Sequence, residues 1–123
     1  MDALKGKIKL AVATMSGREV IDKVLAEKNL GTYFETVISA DDVKTPKPDP
    51  EIFLKTAKQL GVFPQDCVVI EDSIFGVKAA KDAKMKCVAV SSGVYSKQEL
   101  MVENPDLVVD GVWERDKILE FIF

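Results

Sequence analysis

The sequence predicts an α/β fold with three layers, a parallel sheet carrying helices on both faces. Short apolar runs alternate with helical segments along the whole chain. The runs are continuously apolar instead of alternating in and out, as strands covered on both faces are. No internal repeat, linker or low-complexity tract interrupts the pattern.

Residues 7–14 (KIKLAVAT) form the first apolar run, which ends in small polar residues and reads as a buried strand. Ser16 and Gly17 open a helix whose Val20, Ile21, Val24 and Leu25 recur at helical spacing, with Gly31 beyond its end. Residues 36–40 (TVISA) are the second strand, followed by a proline-rich loop. Asp49, Pro50 and Glu51 suit a helix start: Asp as cap, Pro at the first helical position, Glu facing the positive dipole end. Gly61 stops that helix after Leu60. Residues 67–70 (CVVI) are the third strand, closed by Glu71, Asp72 and Ser73. A helix rich in small residues follows, through Gly76, Ala79, Ala80 and Ala83. Residues 87–90 (CVAV) are the fourth strand, and Ser96 with Glu99 forms a capping box for a short helix. Residues 107–109 and 113–123 read as a last strand and a terminal helix.

The 123 residues suit one domain, and 47% hydrophobic content is enough for a core. A net charge of −3 argues against a nucleic-acid partner, which calls for a basic face. No apolar run is long enough for a membrane span, and the start does not resemble a signal peptide, so the expected compartment is the cytoplasm. Cys67 and Cys87 each open an apolar run and read as core residues. The chain has no histidine, which removes Ser-His-Asp and Cys-His catalysis and His-ligated zinc. Its chemistry falls to carboxylates, Lys, Arg, hydroxyls and backbone amides.

Ligands of open parallel sheets bind at the carboxyl ends of the strands. Thr14, Met15, Ser16, Gly17 and Arg18 follow the first strand there, and Glu71, Asp72 and Ser73 follow the third. Both segments open helices, whose free N–H groups favour anions. Lys47 sits on the loop between them. Taken singly, each feature has a plainer reading: Thr14 to Arg18 as a helix cap, Lys47 as a solvated loop lysine, Asp72 and Ser73 as a cap. Glu71 is harder to reduce in this way, because two adjacent carboxylates after a buried strand need a cation or strong donors nearby.

In order, the strings LAVATMSGRE, KPDPEIF and VVIEDSIFGVKAAKDA resemble the second, third and fourth motifs of the haloacid dehalogenase (HAD) superfamily, in its β-phosphoglucomutase and phosphoglycolate phosphatase branch. The similarity runs from about Lys5 to Ser92, and its fourth-motif stretch is the most specific part. The resemblance implies a Rossmann-like core and a Mg²⁺-dependent phosphatase or phosphomutase of small phosphorylated metabolites. Carried over by position, Thr14 and the Met15 amide would bind the transferring phosphoryl group. Lys47 would neutralise its charge and hold the nucleophile, making Thr14 and Lys47 the catalytic pair. Ser16 and Arg18 would touch substrate. Asp72 would bind Mg²⁺, with Glu71 a second ligand or acting through a water. Such a division suits phosphoryl transfer, which depends on positioning and charge stabilisation.

The family's first motif, Asp-x-Asp-Gly-Thr/Val, holds the nucleophile and has no counterpart here. Asp41 and Asp42 lack its spacing and glycine, and Asp2 has no strand before it. The expectation is therefore that Met1 begins partway through the domain, with the first strand and the cap domain missing, and that the chain is inactive alone. Relatives also usually place glycine at the position of Lys84, where the helix ends left-handed at a cost of about 1–2 kcal/mol for other residues. In the family order 3-2-1-4-5 the first strand is central, so its loss opens a slot in the sheet. Unpaired buried backbone groups cost about 1–3 kcal/mol each against a net stability of about 5–15 kcal/mol. Either the flanking strands pair directly, or a partner chain or oligomer fills the slot. Two other readings stand beside the leading one: half of a split enzyme completed in trans by a chain carrying Asp-x-Asp, and a non-catalytic binding or oligomerisation module using an exposed sheet edge. A receiver-type signalling domain fits less well, since the first strand ends in Ala13-Thr14 and not in an acidic pair.

Overall fold

A computed structural model describes residues 8–28, 33–91 and 93–122. The expectations that fall on Asp2, Lys5, Lys7, Gly31, Ser92 and Phe123 lie outside the described residues. Within them strands and helices alternate: β1 (Ala11–Ala13), α1 (Arg18–Glu27), β2 (Thr36–Ile38), α2 (Glu51–Leu60), β3 (Val68–Glu71), α3 (Ile74–Asp82), β4 (Lys86–Val90), α4 (Lys97–Met101), β5 (Leu107–Val109) and α5 (Arg115–Ile122). All strand pairings are parallel.

The larger core lies on one face. Ile52, Phe53 and Ala57 of α2, Val77, Ala79 and Ala80 of α3, and Leu100 of α4 pack against Ile38, Cys87 and Ala89. The small side chains that the sequence places along α3 let that helix sit close to the sheet. On the other face Ile118, Phe121 and Ile122 of α5 cover Val68, Val88, Val90 and Val109. Alternate residues of β4 thus feed opposite cores, which is why the run CVAV carries no polar position. The three-layer α/β reading holds.

Local boundaries differ from the sequence reading in ways the capping explains. β2 stops at Ile38 because the Ser39 hydroxyl and backbone are taken by Asp42 in a capping box over a short 3₁₀ turn, Ala40–Asp42. α2 begins at Glu51 and not at Pro50, although the Asp49 carboxylate still accepts from the Glu51 amide at 2.9 Å. The last helix starts at Arg115, and Trp113 lies before it, 70% exposed, with its ring over Gly111. The apolar stripe read into α1 is mostly open: only Leu25 is buried, while Val20 and Val24 are exposed, because α1 makes little contact with the other described elements.

Lys84 does take the left-handed conformation, at φ 65°. It closes α3 with paired bonds from the Lys84 amide to the Lys81 carbonyl and from Met85 to Ala80.

The sheet is divided. β1 pairs with β2, and β3, β4 and β5 pair in that order, with no pairing between β1 and β3. This corrects the expectation that the two flanking strands pair directly. Leu10 and Thr14 direct their backbone groups to β2, so by alternation Ala11 and Ala13 present theirs to the other edge. At that edge the Lys47 ammonium sits 3.4 Å from the Ala13 carbonyl and 3.0 Å from the Glu71 carboxylate, between the carboxyl ends of β1 and β3. Ile70 of β3 is 45% exposed beside the same opening. Among the described residues no helix is long and apolar enough to cross a membrane.

Candidate active site

Four of the residues named from the sequence gather where β1 and β3 end. Thr14 leaves β1 with its amide bonded to the Ile38 carbonyl. Its hydroxyl oxygen accepts from the Ser16 amide at 3.1 Å, which leaves the O–H free to donate outward. Lys47 reaches in from the loop after β2. That loop is closed by Glu51, whose carboxylate accepts from the Lys44 and Thr45 amides. The Thr45 amide, followed by that of Lys44, holds the Glu51 carboxyl below its ordinary range.

Lys47 and Glu71 form an ion pair at 3.0 Å, their side chains only 11% and 12% exposed. The Lys47 ammonium also lies 5.0 Å from the centre of the Phe53 ring. Glu71 accepts in turn from the Ser73 hydroxyl at 3.5 Å. Its carboxylate lies over the backbone of Gly76, where a Cβ would come within 1.9 Å of it. Gly76 is therefore what lets the Glu71 side chain fold down onto α3 and meet Lys47.

Asp72 takes no part in that ion pair. It is exposed, and among the described residues it has no hydrogen-bonded or ionic partner. A Cβ on Gly93 would lie 3.2 Å from its carboxylate, so glycine keeps the space beside it open. The α3 cap is supplied by Ser73, which accepts from the Gly76 amide at 3.0 Å, and not by Asp72.

As a Mg²⁺ site the described donors fit one carboxylate and no more. Asp72 is a free oxygen donor, Glu71 is engaged by Lys47, and no cluster of three or more ligating side chains exists among the described residues. Mg²⁺ commonly binds through one or two carboxylates and fills its octahedron with phosphate oxygens and waters. Asp72 with Glu71 behind it is consistent with that habit.

The structure does not bring Arg18 to this group. Its guanidinium donates to the Val37 carbonyl at 2.8 Å and to Asp42 at 2.5 Å. Its amide donates to Asp41 at 2.7 Å. Gly17 caps α1 without a side-chain bond, so the cap comes from Asp41 across the loop and not from Thr14 or Ser16. Ser16 keeps its side chain exposed, while its carbonyl accepts from Ala40. Met15 packs its side chain on the main core. Sequence reasoning missed Ser39, Asp41, Asp42 and Glu51 as parts of this region. The one available signal was Ser39 three residues before Asp42, a capping spacing. The Ser39 amide and hydroxyl, followed by Arg18, hold the Asp42 carboxyl below its ordinary 3.8.

The chain is similar in sequence and fold to known proteins. A family model described as haloacid dehalogenase-like hydrolase matches residues 1–90. The fructose-1-phosphate phosphatase of Escherichia coli strain K12 is 44% identical over 85 residues, 69% of this chain and 45% of that protein. Phosphoglycolate phosphatase 1 of Pseudomonas aeruginosa is 32% identical over 105 residues, 85% of this chain and 39% of that protein. The crystal structure of a Thermotoga maritima protein, a candidate β-phosphoglucomutase, superposes with a TM-score of 0.90 at 33% identity, covering 99% of this chain and 57% of that one. The chain thus spans about half the length, or less, of these relatives. With the family model matched over most of its length and the α/β core superposed, the chain belongs to the haloacid dehalogenase-like hydrolases.

Proposed function

We propose that this chain supplies the phosphate-binding, lysine-bearing and metal-holding side of a Mg²⁺-dependent phosphoryl-transfer site, working as a phosphatase or phosphomutase on a small phosphorylated metabolite. One observation carries the reading: the buried Lys47 ammonium, pinned between the Ala13 carbonyl and Glu71 where β1 and β3 end, with Thr14 on one side and Asp72 on the other. A fixed cation next to a free hydroxyl and a free carboxylate suits a group that carries several negative oxygens.

In this reading Thr14 donates its free O–H to a phosphoryl oxygen, alongside the Met15 amide. Lys47 offsets the charge that grows on the equatorial oxygens, and Glu71 holds the Lys47 ammonium in place at 3.0 Å. Asp72 would hold Mg²⁺, which would supply charge neutralisation to the phosphoryl group. Ser16, exposed beside Thr14, is the remaining substrate contact on this side. The nucleophile is a carboxylate of an Asp-x-Asp strand seated between β1 and β3. That strand is carried by a further segment of the same protein or by a second polypeptide, and the edges of β1 and β3, unpaired among the described residues, favour such an occupant.

The test is p-nitrophenyl phosphate turnover with Mg²⁺, using the purified chain alone and then with a peptide that carries a β-strand ending in Asp-x-Asp-Gly-Thr. The chain alone should bind inorganic phosphate without turnover, and the mixture should turn over in a way that Asp72→Asn abolishes. Turnover by the chain alone, surviving in Asp72→Asn, would overturn the assignment of both nucleophile and metal ligand.

A further inference from the structure

We infer that Arg18 is a positioning residue, clamped by Asp42 to hold the Thr14–Ser16 loop in its phosphate-ready shape, and not a substrate contact. The inference rests on the reading above and deepens it by assigning the residues that set the geometry of the phosphate-binding loop.

Five bonds run from this loop and the start of α1 to β2 and the turn after it, the first from the Thr14 amide to the Ile38 carbonyl at 2.9 Å. The Ala40 amide donates to the Ser16 carbonyl at 3.1 Å. The Arg18 amide donates to the Asp41 carboxylate at 2.7 Å. The guanidinium donates to the Val37 carbonyl at 2.8 Å and to the Asp42 carboxylate at 2.5 Å. Asp42 is itself fixed, because the Ser39 amide and hydroxyl donate to the same carboxylate oxygen at 2.8 and 3.0 Å. Ser39 is fully buried. The chain of contacts therefore starts in the core, at Ser39, and ends at the residue that follows the Ser16–Gly17 corner.

The geometry has a chemical consequence. The guanidinium meets Val37 and Asp42 through one nitrogen, Nη2, and its Nη1 lies 3.7 Å from Asp22, so two carboxylates already offset the charge that would draw a phosphate. Beyond these bonds the corner between Thr14 and Arg18 is held by Met15 packing on the core, while Gly17 offers no side chain and α1 packs lightly. Releasing Arg18 should let the Ser16 amide leave the Thr14 hydroxyl, and the O–H direction would be lost with it.

The experiment is titration of the full chain with inorganic phosphate, followed by ¹⁵N NMR, for the parent, Arg18→Gln, Asp42→Asn and the double variant. Lys47→Ala serves as the control for the underlying reading. A positioning pair predicts that each single change weakens phosphate by about tenfold, the usual scale for a residue supporting a ligand-binding group, and that the double change costs no more than either alone. Direct contact of Arg18 with the anion predicts the opposite: Asp42→Asn frees the guanidinium and leaves phosphate binding unchanged or tighter, while Arg18→Gln weakens it. That pattern would overturn the inference. If Asp42→Asn does not fold, Asp41→Asn removes the neighbouring anchor and carries the same prediction. Phosphate binding by the parent that Lys47→Ala abolishes and Asp42→Asn leaves intact sinks this inference alone. A parent chain that binds no phosphate sinks the functional reading together with it.

Discussion

β1 and β4 come from equally apolar stretches of sequence, LAVA and CVAV, and they end in different surroundings. β4 has a hydrogen-bonded neighbour on each side, and Cys87 to Val90 are at most 4% exposed. Among the described residues β1 has a neighbour on one side only, and every residue in it is half-buried. Apolar content alone therefore does not set burial, because a strand is covered only when both edges and both faces find partners. An edge strand with no polar or charged residue is unusual, since exposed edges invite pairing with other chains. The composition of β1 is that of an interior strand, which is the physical basis for expecting an occupant beside it.

The bridge between the two halves of the sheet offers the largest perturbation. Lys47 links the β1–β2 half to Glu71 of the other half, and Lys47→Met would leave a carboxylate largely out of water without its partner. We expect a loss of about 3 kcal/mol in urea unfolding, together with a fall in phosphate affinity of about 100-fold. Unfolding that stays unchanged would mean the halves are held by the shared helix layer alone.

The comparison of the strands themselves comes next. Val88→Ala removes two methyl groups from a fully buried site and should cost about 2–3 kcal/mol. Val12→Ala, at a half-buried position, should cost about 1 kcal/mol or less. Equal losses would show that β1 is as well covered in solution as β4, with a strand or a second copy already in the slot.

A third prediction concerns the turn that anchors β1 and α1. Asp42→Asn should cost about 1–1.5 kcal/mol at neutral pH, the solvent-screened scale of a charge-assisted network. The folded carboxyl titrates below the ordinary 3.8 because it accepts from Ser39 and Arg18. Its contribution is therefore complete above that value and is lost as the pH falls through the lower folded one. Melting curves of parent and variant should begin to converge as the pH falls below 3.8 and meet below the lower folded value, and a gap that persists below that value would assign the effect to packing instead of charge.

Most of the fold was legible because it rests on periodicity. Strand and helix types follow from apolar runs and caps that are local in sequence, and the 3.6 and continuous patterns differ plainly. The placement of Thr14, Lys47, Glu71 and Asp72 at one sheet edge follows from parallel topology, which sends every strand's carboxyl end to the same side. The role of Arg18 was not legible. Its partners Val37 and Asp42 are 19 and 24 residues away and meet it only once β2 lies beside β1. Ile70 shows the same limit. It was read as buried because it belongs to an apolar run, and only the strand order shows that the neighbour it would pack beside is not among the described residues.

The two halves also differ in how their helices end, and here the expected effect is smallest. α2, which packs on β1 and β2, closes at Gly61 with φ 73°, and α3, which packs on β3 and β4, closes at Lys84 with φ 65°. The bonding is the same: Gly61 to Lys58 and Val62 to Ala57 in one, Lys84 to Lys81 and Met85 to Ala80 in the other. Nothing lies within 4 Å of a Cβ built on Gly61, so Gly61→Ala tests backbone conformation with no steric contribution and should cost about 1 kcal/mol. Lys84→Gly removes the same strain, yet it also frees the unfolded chain by roughly 0.4–1 kcal/mol, so the net gain should be only about 0.5 kcal/mol. Thermal melts of both variants would show a loss at one helix end and a smaller gain at the other. A loss at both would mean the Lys84 side chain makes a contact that outweighs its strained backbone.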